Sequence, residues 1–218
     1  MEEFAFQSDF RFELTGEDTC ELARYNGRAP HVVIPSLYDG RTVTAIHREA
    51  FAHYDNLISV VIPDCVSELG EEAFRWCRSL ETVSIGNGVR EIGIRTFYGC
   101  GKLKNVTIGR GVKYIGMHAF YSAAMETLAL PEGLTEIDRT AFFGCKRLTD
   151  LVIPHSVTRI ADSAFAMCRS LTHAVFHETG GWSAVDGETV LPIPPQELSD
   201  PQKAAEHLKR ALALRRAQ

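Results

Sequence analysis

Six cysteines have the most varied chemistry in this chain, since a thiol can bind metal, form a disulfide or act as a nucleophile. Four of them share one column of a repeated pattern with a tyrosine and an alanine, in the order Tyr54, Cys77, Cys100, Ala123, Cys145 and Cys168. Such a column requires a side chain that packs, and free cysteine packs well as a small apolar group. Side chains stacked in parallel register oppose disulfide geometry, and no Cys-x-x-Cys pair is present for zinc. We therefore predict that these cysteines are structural.

The eight histidines offer ring nitrogens for metal binding or general-base catalysis. His173, His177 and Glu178 lie close together in sequence, yet no nucleophile stands at the spacing that a base would serve. The chain also lacks a Gly-rich phosphate loop, a nucleophile elbow and a His-Glu-x-x-His motif. The sequence therefore predicts no catalytic residues, no metal site, no cofactor and no enzyme activity.

Composition and charge narrow the class of protein. Hydrophobic residues make up 45% of the 218 residues and charged residues 23%, which is ordinary for a globular chain. The formal net charge of -5 argues against electrostatic binding of nucleic acid, and no apolar run is long enough to span a membrane. The acidic first ten residues do not resemble a signal peptide, so we expect a cytoplasmic protein from the chain as given. If a signal peptide has been removed, we expect a cell-surface or secreted protein.

A repeat organises most of the chain. Its clearest column is a phenylalanine recurring at separations of 23, 23, 23, 22 and 23 residues: Phe51, Phe74, Phe97, Phe120, Phe142 and Phe165. Aliphatic columns keep the same spacing, and the unit is Leu-x-x-Val-x-Ile-Pro/Gly-x-x-Val-x-x-Ile-Gly-x-x-Ala-Phe-x-x-Cys-x-x-Leu. The fourth unit is one residue shorter between Phe120 and Met125. Because one such unit cannot bury its apolar face alone, the units must stack.

The pattern within a unit predicts its elements. Leu-x-x-Val-x-Ile alternates apolar and polar residues, which is typical of a strand with one buried face. The Pro or Gly that follows ends this strand and turns the chain. The rest of the unit is too short for a long helix and predicts a short strand or turn and then one helical turn. Six stacked coils would give a parallel sheet roughly 25 to 30 Å long.

This unit resembles the BspA-type leucine-rich repeats of bacteria and some protists. The residues that carry the resemblance are Ile62-Pro63 through Val66, Leu69-Gly70-Glu71-Glu72-Ala73-Phe74, Cys77 and Leu80, repeated to about Phe176. Upstream, Val32-Val33-Ile34-Pro35 and the stretch to Ile46 look like that family's first coil. The resemblance implies a solenoid with a parallel β-sheet on its concave face and short helical turns or loops on its convex face. It also implies binding of partners, since family members are known as surface adhesins and partner-binding modules.

The two ends of a solenoid need caps, because an open end exposes apolar core and a strand edge. We divide the chain into an N-terminal β cap (1–30), the leucine-rich-repeat solenoid (31–178), an irregular strand and Pro-rich connector (179–198) and a C-terminal capping helix (199–218). Phe4-Ala5-Phe6 and Phe10 to Leu14 predict a hairpin or strand pair over the first coil. Ser199-Asp200-Pro201 predicts the start of a helix of about sixteen residues. We favour a capping role for it over a partner-binding or membrane-surface role.

The concave face is one candidate binding surface. It would expose small, polar or β-branched residues from two columns of the repeat: Ser59, Thr82, Asn105, Thr127, Asp150 and His173 in one, and Val61, Ser84, Thr107 and Val152 in the other. One interpretation is a flat docking face for a protein or peptide. The other is that threonine, serine and valine simply suit an exposed strand.

An aromatic strip on the convex side is a second candidate. Trp76, Tyr98, Tyr121 and Phe143 follow the repeated phenylalanines in successive units. If they face outward, they form an apolar interaction surface of the kind that dominates binding hot spots. The alternative is that they pack between the coils.

These observations predict a non-enzymatic, protein-binding scaffold whose partner the sequence does not identify. The main alternative is a secreted or surface-attached bacterial adhesin that binds host or neighbouring-cell proteins. We expect no nucleic-acid partner and no transmembrane segment, and a monomer is favoured over a dimer.

Overall fold

The repeated Leu-x-x-Val-x-Ile segment forms a strand in each coil of the computed structural model, which describes residues 5, 7–186, 188–210 and 212–217. The coils stack into a β-solenoid of about seven turns. The strands are β1 (Phe10–Leu14), β2 (Thr19–Tyr25), β3 (His31–Val33), β4 (Leu37–Tyr38), β5 (Arg41–Ile46), β6 (Ser59–Val61), β7 (Glu68–Leu69), β8 (Thr82–Ser84), β9 (Glu91–Ile92), β10 (Asn105–Thr107), β11 (Tyr114–Ile115), β12 (Thr127–Leu128), β13 (Glu136–Ile137), β14 (Asp150–Ile153), β15 (Arg159–Ile160), β16 (His173–Phe176), β17 (Trp182–Asp186), β18 (Thr189–Pro192) and β19 (Ala213–Arg216). The helices are α1 (Pro195–Ser199) and α2 (Pro201–Lys209).

Parallel strands build the concave face, as predicted. β3, β6, β8 and β10 pair in register, and β12, β14 and β16 do the same. Successive residues of a strand point to opposite faces of the sheet. In β14, Leu151 and Ile153 are therefore buried in the core, whereas Asp150 and Val152 are exposed.

The concave sheet is divided into two parts, because β10 and β12 do not pair. The division coincides with the shortened fourth unit, in which the Ala124 N–H donates to the carbonyl of Leu103 at 2.9 Å instead of continuing the strand ladder. Val106 and Ile108 lack a neighbouring strand on that side and stay half-buried. The equivalent Val83 and Ile85 of the preceding coil are buried. The continuous sheet that the repeat predicts is thus interrupted where one residue is missing.

Each coil returns through a two-residue strand and a row of tight turns. β5 pairs with β7, and β9, β11, β13 and β15 form a second parallel ladder. Around the repeated phenylalanines, backbone N–H groups bond alternately within the turn and to the next coil. Ala50 donates to the carbonyl of His47 at 3.2 Å, and Phe51 donates to the carbonyl of Ala73 at 2.8 Å. These turns lock neighbouring coils together without an α-helix among the described repeat residues.

A column of stacked rings fills the centre of the solenoid. The six repeated phenylalanines are fully buried, and consecutive ring centroids lie 4.8 to 5.3 Å apart with interplanar angles of 4 to 16°. Tyr25 continues the stack at its N-terminal end, with its centroid 5.1 Å from that of Phe51. Each ring from Phe51 to Phe142 contacts the rings before and after it, so the column packs neighbouring coils against each other.

The predicted N-terminal β cap is an antiparallel hairpin of β1 and β2. β2 also pairs in parallel with β5, so the hairpin covers the open edge of the first coil. Phe10 packs against Tyr25, with ring centroids 5.2 Å apart. Phe4 and Phe6, which we also assigned to this cap, lie outside the described residues.

The C-terminal cap is more elaborate than the single helix expected from the sequence. Asp200 caps α2 as predicted, since its Oδ1 accepts from the N–H groups of Gln202 and Lys203. The helix ends at Lys209 because Arg210 is extended, and the segment beyond the undescribed Ala211 forms β19. β19 pairs antiparallel with both β15 and β17. A helix of sixteen residues is therefore wrong: the open edge of β15 takes up these residues as a strand, which overrides their helix propensity.

The segment before α2 also differs from the prediction of an irregular connector. β17 and β18 form an antiparallel hairpin, and the prolines after it begin α1 with Pro195 in its first turn. Proline suits this position because it needs no donor there. Both helices pack against β16, the last strand of the concave sheet. Helices and strands thus share the capping of the last coil.

Candidate protein-binding surfaces

The concave face presents the ten residues that the repeat assigned to it. Ser59 and Ser84 are half-buried, and the other eight side chains are exposed. Parallel register sets residues of one column side by side, for instance Ser59, Thr82 and Asn105 on the first part of the sheet. On the second part, Thr127 aligns with Asp150 and Asp150 with His173. The division between β10 and β12 separates these two groups.

Neutral hydrogen bonds, and few charges, characterise this face. His31 Nδ1 lies 2.8 Å from Ser59 Oγ, and Asn105 Nδ2 donates to Thr82 Oγ1 at 3.4 Å. Among its ten predicted residues, Asp150 alone carries a formal charge at neutral pH when histidine is neutral. Charged residues make up 23% of the whole chain, so the face is less charged than the average surface of this protein.

Exposed valines run along the concave face, and one of them, Val33, was not among the concave residues that the repeat predicted. Val61 and Val152 are each 41% exposed, as expected, and Val33 and Val175 are 54% and 44% exposed. Val33 could have been found from the resemblance of Val32-Val33-Ile34-Pro35 to the later strands. Together the valines give the face apolar area that a partner can bury.

The C-terminal helices border the concave face at its last strand. A shallow cleft there is lined by His173 of β16 and by residues of the helices and the bend between them: Gln196, Ser199, Asp200, Pro201 and Gln202. The cleft joins the sheet surface to the helical cap. A partner on the concave face would therefore meet a raised wall at this end.

The aromatic strip, defined as Trp76, Tyr98, Tyr121 and Phe143, is a continuous row on the convex side. All four side chains are half-buried, so they neither face fully outward nor pack fully between the coils. Tyr98 stacks on Tyr121 with centroids 4.8 Å apart, and Tyr121 stacks on Phe143 at 5.1 Å. Trp76 meets Tyr98 edge-on at 5.3 Å. The tyrosine and phenylalanine rings cover one another's faces, so the row presents ring edges to solvent.

His118 contacts two rings of the aromatic strip from the side. Its ring meets Tyr98 and Tyr121 nearly at right angles, with centroids 6.0 and 5.5 Å away, and its Nδ1 lies 2.7 Å from Thr140 Oγ1. Burial, and then the charge of Arg95, lower the pKa of His118. The strip is therefore flanked by a neutral imidazole at physiological pH.

Glu72 is a buried carboxylate held by arginines of three coils. Its side chain accepts from Arg75 at 3.1 Å and from Arg95 at 3.2 Å, and Arg48 Nη2 lies 3.8 Å away. Burial by itself raises the pKa of this carboxyl, but the hydrogen bonds from Arg95 and Arg75 outweigh it and hold the pKa below its usual range. All of its oxygens have partners in the protein, so Glu72 acts as a cross-link between coils.

The column cysteines pack as predicted. Cys77, Cys100, Cys145 and Cys168 are free thiols with no exposed surface, and each Sγ lies 3.0 to 3.2 Å from a phenylalanine carbonyl of the coil before. Burial raises the pKa of Cys77 to about 12. A thiol so placed stays protonated and inaccessible, which suits a structural role.

Across the described ranges, no group of three or more His, Cys, Asp or Glu side chains is arranged to hold a metal ion. No helix in the part of the chain that the structure describes is long and apolar enough to cross a membrane.

Comparisons with known proteins agree with this architecture. The family described as BspA type Leucine rich repeat region matches residues 43–178 in six copies. The Leucine Rich Repeat protein of T. pallidum superimposes with a TM-score of 0.76 at 29% identity, over 80% of this chain and 84% of that one. No curated protein matches the sequence.

Two longer bacterial structures are also similar. A leucine-rich repeat protein from Bacteroides ovatus has a TM-score of 0.69 at 30% identity, over 76% of this chain and 45% of that one. A leucine rich cell surface protein from Faecalibacterium prausnitzii has a TM-score of 0.58 at 29% identity, over 84% of this chain and 56% of that one. The chain thus spans about half the length of each of these two proteins.

The family match covers more than half of the chain, and its copies coincide with coils of the solenoid. Each coil has the strand, turn and buried phenylalanine that the repeat predicted from sequence. The chain belongs to the family of BspA-type leucine-rich repeat proteins.

Proposed function

We propose that this protein is a non-enzymatic scaffold that binds a protein partner on its concave face. The observation that carries the proposal is the face itself, which combines exposed valines with small polar side chains and little charge. Burying the valines supplies a favourable free energy of association, and the threonine, serine and asparagine side chains supply hydrogen bonds that orient the partner.

Rigidity supports this mechanism. Backbone ladders and the phenylalanine column hold the concave strands in place before binding. Binding to such a preformed surface loses little conformational entropy, because the side chains concerned are short and the backbone is already ordered.

The dimensions of the face suggest what else a partner contacts. Seven strands spaced about 4.8 Å apart and three residues long give a face of about 30 by 10 Å. A stable complex buries about 800 Å² on each partner, which is more than the area of the concave face. We therefore expect the partner to contact the helical wall of α1 and α2 as well.

Charged substitutions on the face test the proposal. The variant Thr82→Arg/Thr107→Arg places two cations on exposed concave positions, and Ser67→Arg/Thr135→Arg places two on exposed positions directly before β7 and β13. In affinity capture from the source organism with quantitative mass spectrometry, we expect a partner retained by the wild type and the control to be depleted about tenfold or more by the concave variant. Equal recovery with both variants would rule out the concave face as the binding surface.

A cell-surface setting is a second candidate, with the same binding mechanism. The name of the similar Faecalibacterium prausnitzii protein, a leucine rich cell surface protein, favours it. Protease treatment of intact cells distinguishes the two locations: a surface protein is degraded without lysis, and an internal one is degraded only after lysis.

A further inference from the structure

We propose that the aromatic strip and a notch beside it form a second binding surface, which takes an acidic segment of a protein partner. This surface lies on the convex side, away from the concave face, so it adds a second interaction to the proposed function. Ring orientation, a local gap and unpaired positive charge support it.

The ring edges give the first argument. Because Tyr98, Tyr121 and Phe143 stack face to face, their faces contact each other and their edges point outward. Ring edges carry partial positive charge, which attracts carboxylate and carbonyl oxygens. Among the described residues, neither tyrosine hydroxyl has a hydrogen-bond partner, so both can donate to an acidic ligand. Ligands that stack flat on an aromatic face, such as bases, do not fit the inner rings of this row.

The notch gives the second argument. It lies at the shortened fourth unit, where one residue is missing from the turn before β12. Small side chains and two cations line this shallow space of about 190 Å³: Gly101, Ser122, Ala123, Ala124, Gly144, Lys146 and Arg147. Ser122 and Gly144 directly follow the strip residues Tyr121 and Phe143 in sequence, so the notch lies next to the backbone that carries the strip. Its volume accommodates one carboxylate side chain of a partner.

Charge gives the third argument. The turns between the strip and the concave strands carry a row of exposed cations: Arg78, Lys102, Lys146 and Arg169. Within the described ranges, no carboxylate lies within 4 Å of the charged groups of these four side chains, and Arg78 lies over the Trp76 ring at 5.6 Å. Arg147 is already paired with Glu126, so Lys146 supplies the free charge at the notch. On the other flank, Arg75 and Arg95 share the Glu72 carboxylate as their ion-pair partner.

An excess of positive charge on a chain with a formal net charge of -5 selects an acidic partner by complementarity. The strip spans four coils, or about 15 Å at a spacing of about 4.8 Å per coil, which matches four to five residues of an extended peptide. Carboxylates of that peptide would face the ring edges, the tyrosine hydroxyls and Lys146, and its leucine-like side chains would alternate with them along the strip.

Three fluorescein-labelled decapeptides of alternating residues test the proposal: Glu-Leu, Gln-Leu and Lys-Leu. By fluorescence anisotropy, we expect the Glu-Leu peptide to bind at least about tenfold more tightly than the Gln-Leu peptide, and the Lys-Leu peptide not to bind. Lys146→Glu/Arg169→Glu should weaken the Glu-Leu complex by about tenfold or more. Lys113→Glu/Lys203→Glu changes the net charge equally at exposed sites elsewhere. This variant should retain most of the affinity for the Glu-Leu peptide.

Two further readouts locate the site. Binding should change the emission of Trp76, which is obtained as the difference between the wild type and Trp76→Phe because this difference removes the emission of the buried Trp182. The concave variant Thr82→Arg/Thr107→Arg should still bind the peptide, which keeps this result independent of the test of the concave face.

Three outcomes would overturn the proposal. One is no saturable binding of the Glu-Leu peptide up to about 1 mM. Another is equal weakening by the two charge-reversal variants, which would indicate net charge and not this surface. The third is binding to phosphatidylserine vesicles, lost in Lys146→Glu/Arg169→Glu, without binding of the peptide, which would assign the cations to a membrane surface.

Discussion

Glu72 shows how one residue can serve three coils. Its backbone has a left-handed φ of 58°, and its carboxylate is only 5% exposed. Arg48 comes from the coil before, Arg75 from the same coil and Arg95 from the coil after. A buried charge is tolerated only with such compensation, so removing the carboxylate leaves the guanidinium groups of Arg75 and Arg95 without their anion.

We expect Glu72→Gln to lower the free energy of unfolding by about 2 kcal/mol at pH 7 and to reduce its dependence on pH. Since the folded state lowers the pKa of Glu72, the carboxylate contributes stability above its unfolded pKa of about 4.3, and this is lost as pH falls through the folded pKa. Urea denaturation at pH 7 and at about pH 3 measures both effects. Glu71→Gln, at an exposed neighbouring position, is the control. An unchanged loss of stability in acid would contradict this role.

At the scale of the elements, the turns after the concave strands decide how closely coils approach. Gly88 and Gly111 lie where the backbone of the preceding coil is nearest: a Cβ at these positions would be 2.1 and 2.0 Å from the carbonyl oxygens of Asp64 and Asn87. Asp64 Oδ1 also accepts from the Asn87 N–H at 2.7 Å, which fixes the turns against each other. Gly101, in the turn on the other side of the coil, has no atom within 4 Å of such a Cβ.

Alanine substitution should separate these two kinds of glycine. Gly88→Ala forces two coils apart, and we expect it to lower the free energy of unfolding by about 2 kcal/mol, as overpacking does. Gly101→Ala meets open space and should change the free energy of unfolding by less than about 0.5 kcal/mol. Urea denaturation of both variants gives the comparison. Equal stability of the two would show that the coils can separate there without cost.

At the scale of the whole molecule, the caps prevent the ends of the solenoid from associating with other molecules. Exposed strand edges and core at the end of a solenoid invite pairing with another chain. β19 covers the edge of β15, and the buried Leu214 anchors it, with 2% of its surface exposed. The helices pack against β16, the last strand of the concave sheet. The cap therefore closes both ladders of the last coil.

Leu214→Asp should detach β19 and expose the edge of β15. We expect the variant to self-associate, with a mass that rises with concentration in light scattering, because the edge then pairs between molecules. Leu191→Asp introduces the same charge at a residue that is 54% exposed on β18 and should behave as the wild type does. A Leu214→Asp variant that keeps the mass of the wild type would show that the helices alone suffice as a cap.

The sequence predicted the coils well because their burial is periodic: Phe97 and its equivalents recur at positions that only a stack can bury. It predicted the concave residues for the same reason. The fate of residues 213–216 depends on β15, more than fifty positions away, so local helix propensity misled the prediction. Likewise, the exposure of Tyr121 depends on rings from the adjacent coils, a contact that no single unit encodes.

The division of the concave sheet has a mechanical consequence. Between the coils of β10 and β12, the ladder of β11 and β13, the turn bonds and the stacked Phe120 and Phe142 carry the connection without help from concave strands. When the two ends are pulled apart, the force at this joint acts on the side of β11 and β13 and not on the concave side. This joint would therefore open on its concave side, where no strands pair across it.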